Sequence, residues 1–185
     1  MATKVSICNL ALRSVGAQRI TALTDANEAA RVLNDIYDLI RDEVLTAHPW
    51  NFASKRASLV AEDDAPEFDY DTAYALPTDC LRVIRMEETD ADFKIEAGLL
   101  LTDESTANIL YIAKITDESK FSPFFVTTLA VRLASEIAYP LTNDQNLAVK
   151  KYEEYERKIK MAKSIDGQEG SVETIEDSSW IDDRE

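Results

Sequence analysis

The chain has 185 residues, 45% of them hydrophobic and 30% charged, which is enough for one well-filled core and short of two comfortable ones. Its formal net charge of −15, from 35 acids against 20 lysines and arginines, excludes wrapping of nucleic-acid phosphates, because that mode relies on cations displacing counterions. No apolar run approaches the ~20 residues of a membrane span, and residues 1–6 do not read as a secretory signal. Cytosolic synthesis is expected, with Cys8 and Cys80 as reduced thiols.

A first helix is expected over residues 3–15. Ile7, Leu10, Ala11 and Val15 fall at helical spacing there, and Gly16 stands where a C-terminal cap belongs. The second helix is the clearest pattern in the chain. Asp25 with Glu28 three residues later makes a start like a capping box. Ala26, Ala29, Ala30, Leu33, Ile36, Tyr37, Ile40, Val44 and Ala47 then form one stripe, opposite a polar face that includes Asp38, Arg41 and Asp42. Pro49 stops the helix, since the residue before a proline is pushed out of the helical region; the expected length is about 33 Å.

From residue 51 to about 115 the pattern becomes β-rich. Strands are expected at 51–60, 81–86, 93–97, 99–102 and 109–115, with an exposed acidic loop at 62–71 and turns near Gly98 and Glu104-Ser105. Ser122-Pro123 opens a third helix, with Ser122 as cap and Pro123 at the first position. Val126, Leu129, Ala130, Leu133 and Ile137 form its buried stripe, and Pro140 is expected to end it. The fourth helix begins at Asn143 or Asp144 and runs to about Ala162, with Ala148, Tyr152, Tyr155, Ile159 and Ala162 as a narrow seam.

Residues 165–185 hold eight acids and one base, with Gly167 and Gly170 as helix breakers. Val172, Ile175, Trp180 and Ile181 are scattered among the charges, too few to offset ordering entropy in water. They are the candidate partner-binding residues of a tail that orders only when something binds it. The expected fold is therefore mainly α with a small antiparallel β insertion. A helical-bundle domain occupies residues 1–164, the insertion lies at about 51–115, and an acidic C-terminal tail follows at 165–185.

The residues offer little catalytic chemistry. His48, the single histidine, could serve as a general base; without a nucleophile motif beside it, packing on Trp50 at a helix end is the better reading. Carboxylate pairs such as Glu87/Glu88, Asp90/Asp92 and Glu153/Glu154 are unavoidable among 35 acids and read as solvated surface groups. One histidine and two distant cysteines leave a zinc site short of ligands. Four glycines form no phosphate loop, so no cofactor is expected. Lysines and arginines between Lys150 and Lys163 read as support for the fourth helix, through pairs such as Glu153–Arg157 and Glu154–Lys158, with docking of an acidic partner as the alternative.

One stretch carries a resemblance. Ile7-Cys8-Asn9-Leu10-Ala11-Leu12-Arg13-Ser14-Val15-Gly16 leads into Ile20-Thr21-Ala22-Leu23, then Asp25-Ala26-Asn27-Glu28-Ala29-Ala30-Arg31-Val32-Leu33, Ile40-Arg41-Asp42-Glu43-Val44-Leu45 and His48-Pro49-Trp50-Asn51-Phe52-Ala53. With Tyr74-Ala75-Leu76-Pro77-Thr78-Asp79-Cys80-Leu81-Arg82-Val83, it resembles the tail tubular protein A family of podoviruses and related head-to-tail adaptors of tailed phages. The resemblance covers about the first 85 residues and implies a non-enzymatic virion protein at the head–tail junction, assembled in the host cytoplasm. Such proteins form a ring, usually dodecameric, beneath the portal protein. The ring extends the channel through which double-stranded DNA passes, and it docks a distal tail component, a nozzle or stopper. The C-terminal segment commonly lies along the portal, which would give Val172, Ile175, Trp180 and Ile181 their surface. The competing expectation is a peptidoglycan-degrading accessory of the tail; no residue here matches a catalytic motif for it.

Overall fold

Each helix start is built from a short polar side chain that satisfies an orphan backbone N–H. The computed structural model describes residues 1–64, 66–88 and 90–169. Helix α1 (Lys4–Ser14) starts from a capping box between Thr3 and Ser6. It closes on Gly16 at φ +75°, with the Ala17 N–H returning to the Leu12 carbonyl. Helix α2 (Glu28–Thr46) is capped by Asn27, whose side chain accepts from the Ala30 N–H at 2.8 Å. Asp25, the expected cap, instead ties the preceding turn by accepting from the N–H groups of Thr21 and Ala22. Those bonds hold the Asp25 carboxyl below its usual range.

The chain then crosses a single 3₁₀ turn (Asn51–Ala53) into six strands: β1 (Ser54–Ser58), β2 (Thr72–Ala75), β3 (Cys80–Met86), β4 (Phe93–Glu96), β5 (Leu99–Thr102) and β6 (Asn108–Ala113). They form two antiparallel three-stranded sheets, ordered β1-β6-β3 and β2-β5-β4. The chain beyond β1 links the sheets. The Leu59 N–H reaches the Ala107 carbonyl, and Ala61 then bridges Tyr74 of the second sheet. Helix α3 (Pro123–Thr142) starts as expected, with Ser122 capping the Phe125 N–H and Pro123 at its first turn. It does not stop at Pro140. Pro140 lacks the N–H that would bond the carbonyl four residues back, yet the helix continues to Thr142, and Asn143 closes it at φ +54°. Helix α4 (Gln145–Gln168), capped by Asp144, runs six residues past the expected end and through Gly167.

The mainly α expectation with a small β insertion is corrected by this architecture. The fold is mixed α/β, with 48% of the described residues helical and 19% in strands. The strands are short, yet they are part of the core. Met86, Ile109, Tyr111 and Ile112 of the first sheet and Tyr74 and Leu100 of the second belong to the same buried cluster as Leu12, Leu33, Leu129 and Ile159 of the four helices. Helix α3 is long and apolar enough by composition to cross a membrane, although Arg132 and Glu136 interrupt its apolar sequence. Most of it is buried inside the protein, and it packs against α1, α2 and α4. That is the pattern of a central core helix.

Trp50 is where the layers meet. It is fully buried and donates its indole N–H to the Val44 carbonyl at 2.9 Å. Its ring stands edge-on to Phe125 of α3 at 5.2 Å and beside Phe52 at 6.2 Å. Phe121 and Phe125 complete the aromatic group at 4.8 Å from each other. Burying four such rings in one place locks the end of α2, the entry to β1 and the start of α3 into a single joint.

Candidate functional site

Beside that joint, the end of α4 is fastened to the corner after α2. Asp166, 6% exposed, places its carboxylate 3.2 Å from His48 Nε2 and accepts from the Asn51 backbone N–H at 3.2 Å. The Asn51 side chain donates back to the Asp166 carbonyl at 2.6 Å. His48 also stands edge-on to Trp50 at 4.9 Å, so the packing expected for it is present. Burial lowers the His48 pKa below its ordinary value; Asp166 opposes that shift, while Lys163 and Arg82 add to it. No nucleophilic side chain bonds the ring among the described residues, and the contacts of Asp166 fasten the end of α4 to this corner as a latch. Asp166 was not legible as a partner because 118 residues separate it from His48.

Two charged networks tie the helices together. Arg41, expected on the polar face of α2, is 3% exposed and lies between Asp38 at 2.9 Å and Asp42 at 2.7 Å. Lys4 reaches Asp38 and Lys114 reaches Asp42, so the network joins α1, α2 and the chain after β6. On the other side Arg132 of α3 holds Glu43 of α2 at 2.9 Å and pairs with Glu136. Its guanidinium lies over the rings of Tyr152 and Tyr155 of α4, 5.6 and 5.7 Å from their centroids. Neither expected pair on α4, Glu153–Arg157 or Glu154–Lys158, forms among the described residues; Lys151 pairs with Glu154 instead.

Two surfaces are open. A groove between α3 and α4 is lined by Tyr139, Pro140, Ala148, Val149 and Tyr152, flanked by Glu136 and Glu153. Tyr152, expected in the α4 seam, is about half exposed here, so the seam is closed only from Tyr155 onward. The second surface is a cleft of about 530 Å³ on the β1-β6-β3 sheet, lined by Arg56, Ser58, Arg85, Glu87, Asn108 and Leu110. Pairing of β1, β6 and β3 puts Arg56, Leu110 and Arg85 in one row, with Ser54, Ile112 and Arg82 in the row nearer the latch. Among the described residues no carboxylate lies within 4.0 Å of Arg56, Arg82 or Arg85. Sequence reading missed this arginine face because its residues come from β1 and β3, which do not pair with each other and meet only through β6.

The other candidates resolve simply. Glu87, Glu88, Asp90, Asp92 and Glu153 are all exposed. No cluster of metal-ligating side chains occurs among the described residues. Cys8 and Cys80 are free thiols, and burial pushes the Cys8 thiol up to about 12. The expected partner-binding residues Val172, Ile175, Trp180 and Ile181 lie outside the described residues. No protein-family model matches the chain, and no curated protein matches it either.

Proposed function

We propose that this chain is a structural, non-enzymatic adaptor of a tailed-phage virion. In this reading it forms a dodecameric ring beneath the portal protein, extends the DNA channel and docks the distal tail component. The observation that carries the reading is the opening segment quoted above, a helix closed by Gly16, a long helix and then Trp50-x-Phe52. In the fold these residues are the cap of α1, the length of α2 and the aromatic joint, so the resembling stretch is the scaffold on which the rest is hung. The charge supports it as well. A surface carrying a net −15 lets a polyanion pass without adhering, and the groove on α3 and α4 offers apolar area to a protein neighbour.

Native mass spectrometry of the full chain with its cognate portal ring tests the proposal. The expected result is a single large species with a fixed ratio of adaptor to portal subunit. Absence of a complex at micromolar concentrations would overturn it, and a cell-wall clearing assay would then decide whether the chain is a lytic accessory.

A further inference from the structure

We propose that the α3–α4 groove receives the opposite flank of α4 from a second copy of this chain, with Met161 as the inserted side chain. Such a contact is what the ring of the preceding reading requires between neighbours, and the proposal rests on that reading.

The groove lies at the tip of the α3–α4 hairpin. Tyr155, Ile159 and Ala162 close α4 onto the core further along, but Tyr139, Val149 and Tyr152 are each about half exposed. Pro140 and the small side chain of Ala148 complete the lining of an open volume of about 750 Å³. An apolar side chain entering from another molecule would remove apolar surface of both partners from water.

The complementary feature is on the same helix. Met161 follows Tyr152 by nine residues, which places it about 14 Å along α4 and about 180° around it. It is 57% exposed, and an unbranched thioether adapts to an irregular groove. Acceptor and donor surfaces on opposite flanks of one helix cannot satisfy each other within one copy. The contact is therefore head-to-tail, repeats from copy to copy, and makes a ring where the rotation closes.

Charge favours this flank over Leu39 and Phe68, which are more exposed still. Phe68 stands between Glu67 and Asp69, and Leu39 follows Asp38, so either would bring acids toward Glu136 and Glu153 at the groove. Met161 follows Lys160, with Arg157 and Lys150 about one and three turns back on its own side of α4. Among the described residues none of these three bases has a carboxylate within 4.0 Å, and Glu153 has no cation within that distance. Glu136 is already held by Arg132. Exposed pairs between Glu153 and these bases orient the neighbour, while the apolar contact carries the affinity.

Cysteine cross-linking of the full chain tests the contact, in a Cys80→Ser background, since Cys8 is fully buried. Tyr152→Cys and Met161→Cys are combined in one chain and treated with a short bismaleimide, bound to the cognate portal ring and alone in 0.5 M sodium chloride. The expected product is a ladder of dimers, trimers and larger species, strong on the portal and weaker in salt alone. Either single variant should cross-link at least tenfold less, and an equimolar mixture of the two should stop at the dimer. A single variant that cross-links as well as the mixture would show like surfaces meeting across a two-fold axis, which overturns the inference. A ladder in neither sample overturns it too; if the double variant still binds the portal, the adaptor reading stands without this contact. A ladder in salt from a chain that binds no portal gives the reverse, with the contact upheld and the adaptor reading lost.

Discussion

At the scale of single residues, the competition around His48 is the most informative. Burial disfavours the charged imidazole, and Lys163 and Arg82 add to that, while the Asp166 carboxylate at 3.2 Å favours it; the balance lies below the ordinary value. The unfolded chain, titrating at about 6.5, therefore binds the proton more readily than the folded one. Folding stability from this group is complete above about pH 6.5 and declines as pH falls toward the lowered folded value. Because His48 is the only histidine, its ring-proton titration by NMR is unambiguous. The expected midpoint lies below 6.5, and Asp166→Asn should lower it further by removing the one attractive charge. A midpoint above 6.5 would mean that the ion pair outweighs burial. Asp166 also serves the backbone: Asp166→Ala removes the acceptor of the Asn51 N–H, and because Asn51 is exposed the cost is about 0.5–1.5 kcal/mol. Hydrogen exchange should then quicken first in the last two turns of α4, where the latch is the anchor, and spare α3.

At the scale of elements, the β4–β5 hairpin stores a conformational conflict. Its register, Glu96 opposite Leu99, leaves a two-residue turn of Ala97 and Gly98 at φ +48° and +83°. Two successive positive φ values make the type I′ turn whose twist suits a hairpin, and it prefers Asn-Gly. Alanine in that region costs roughly 1–2 kcal/mol. Ala97→Asn is therefore expected to raise the urea midpoint, by an amount corresponding to about 0.5–1 kcal/mol. Gly98→Ala should lower it by about 1 kcal/mol, and for backbone reasons alone, since nothing lies within 4 Å of the added Cβ. No change in either variant would mean that this hairpin is already open under the conditions of the global transition. Much of the element map was legible. The α2 stripe repeats at helical period, Ser122-Pro123 marks a start with a mechanism, and Gly98 marks a turn. What failed did so for nameable reasons. Asn27 and Asp25 are equally good caps on paper, and only the turn at Thr21 decides which side chain is free. Pro140 sits so near the end of α3 that Asn143, not the proline, stops it. Arg41 looks like a surface residue until α1 and the chain after β6 bring Lys4 and Lys114 to its two aspartates.

At the scale of the whole molecule, the fold class was misread because strand pairing is not local. β1 meets β6 across some fifty residues, and each strand alone looks like part of a small hairpin. Only when the two sheets share a core with the helices does the mixed architecture follow. Net charge, by contrast, was legible from composition and sets the behaviour of any assembly. Each copy carries −15 at neutral pH, so bringing like subunits side by side raises their mutual repulsion. The Debye length shrinks from about 30 Å at 0.01 M salt to about 8 Å at 0.15 M, which removes most of that repulsion between surfaces. Attractive ion pairs across a subunit boundary would respond in the opposite direction. If the contacts between copies are apolar, through surfaces such as the α3–α4 groove, self-association in the absence of portal should strengthen with salt. It should strengthen again as pH falls toward the pI near 4.5. Sedimentation velocity at fixed protein concentration in 0.02 and 0.5 M sodium chloride reads this directly. A larger species at high salt, abolished by Tyr152→Glu in the groove, is the expected outcome. A species that grows as salt is withdrawn would show that neighbouring copies are joined by opposite charges, and the arginine face would then be the first place to look for the contact.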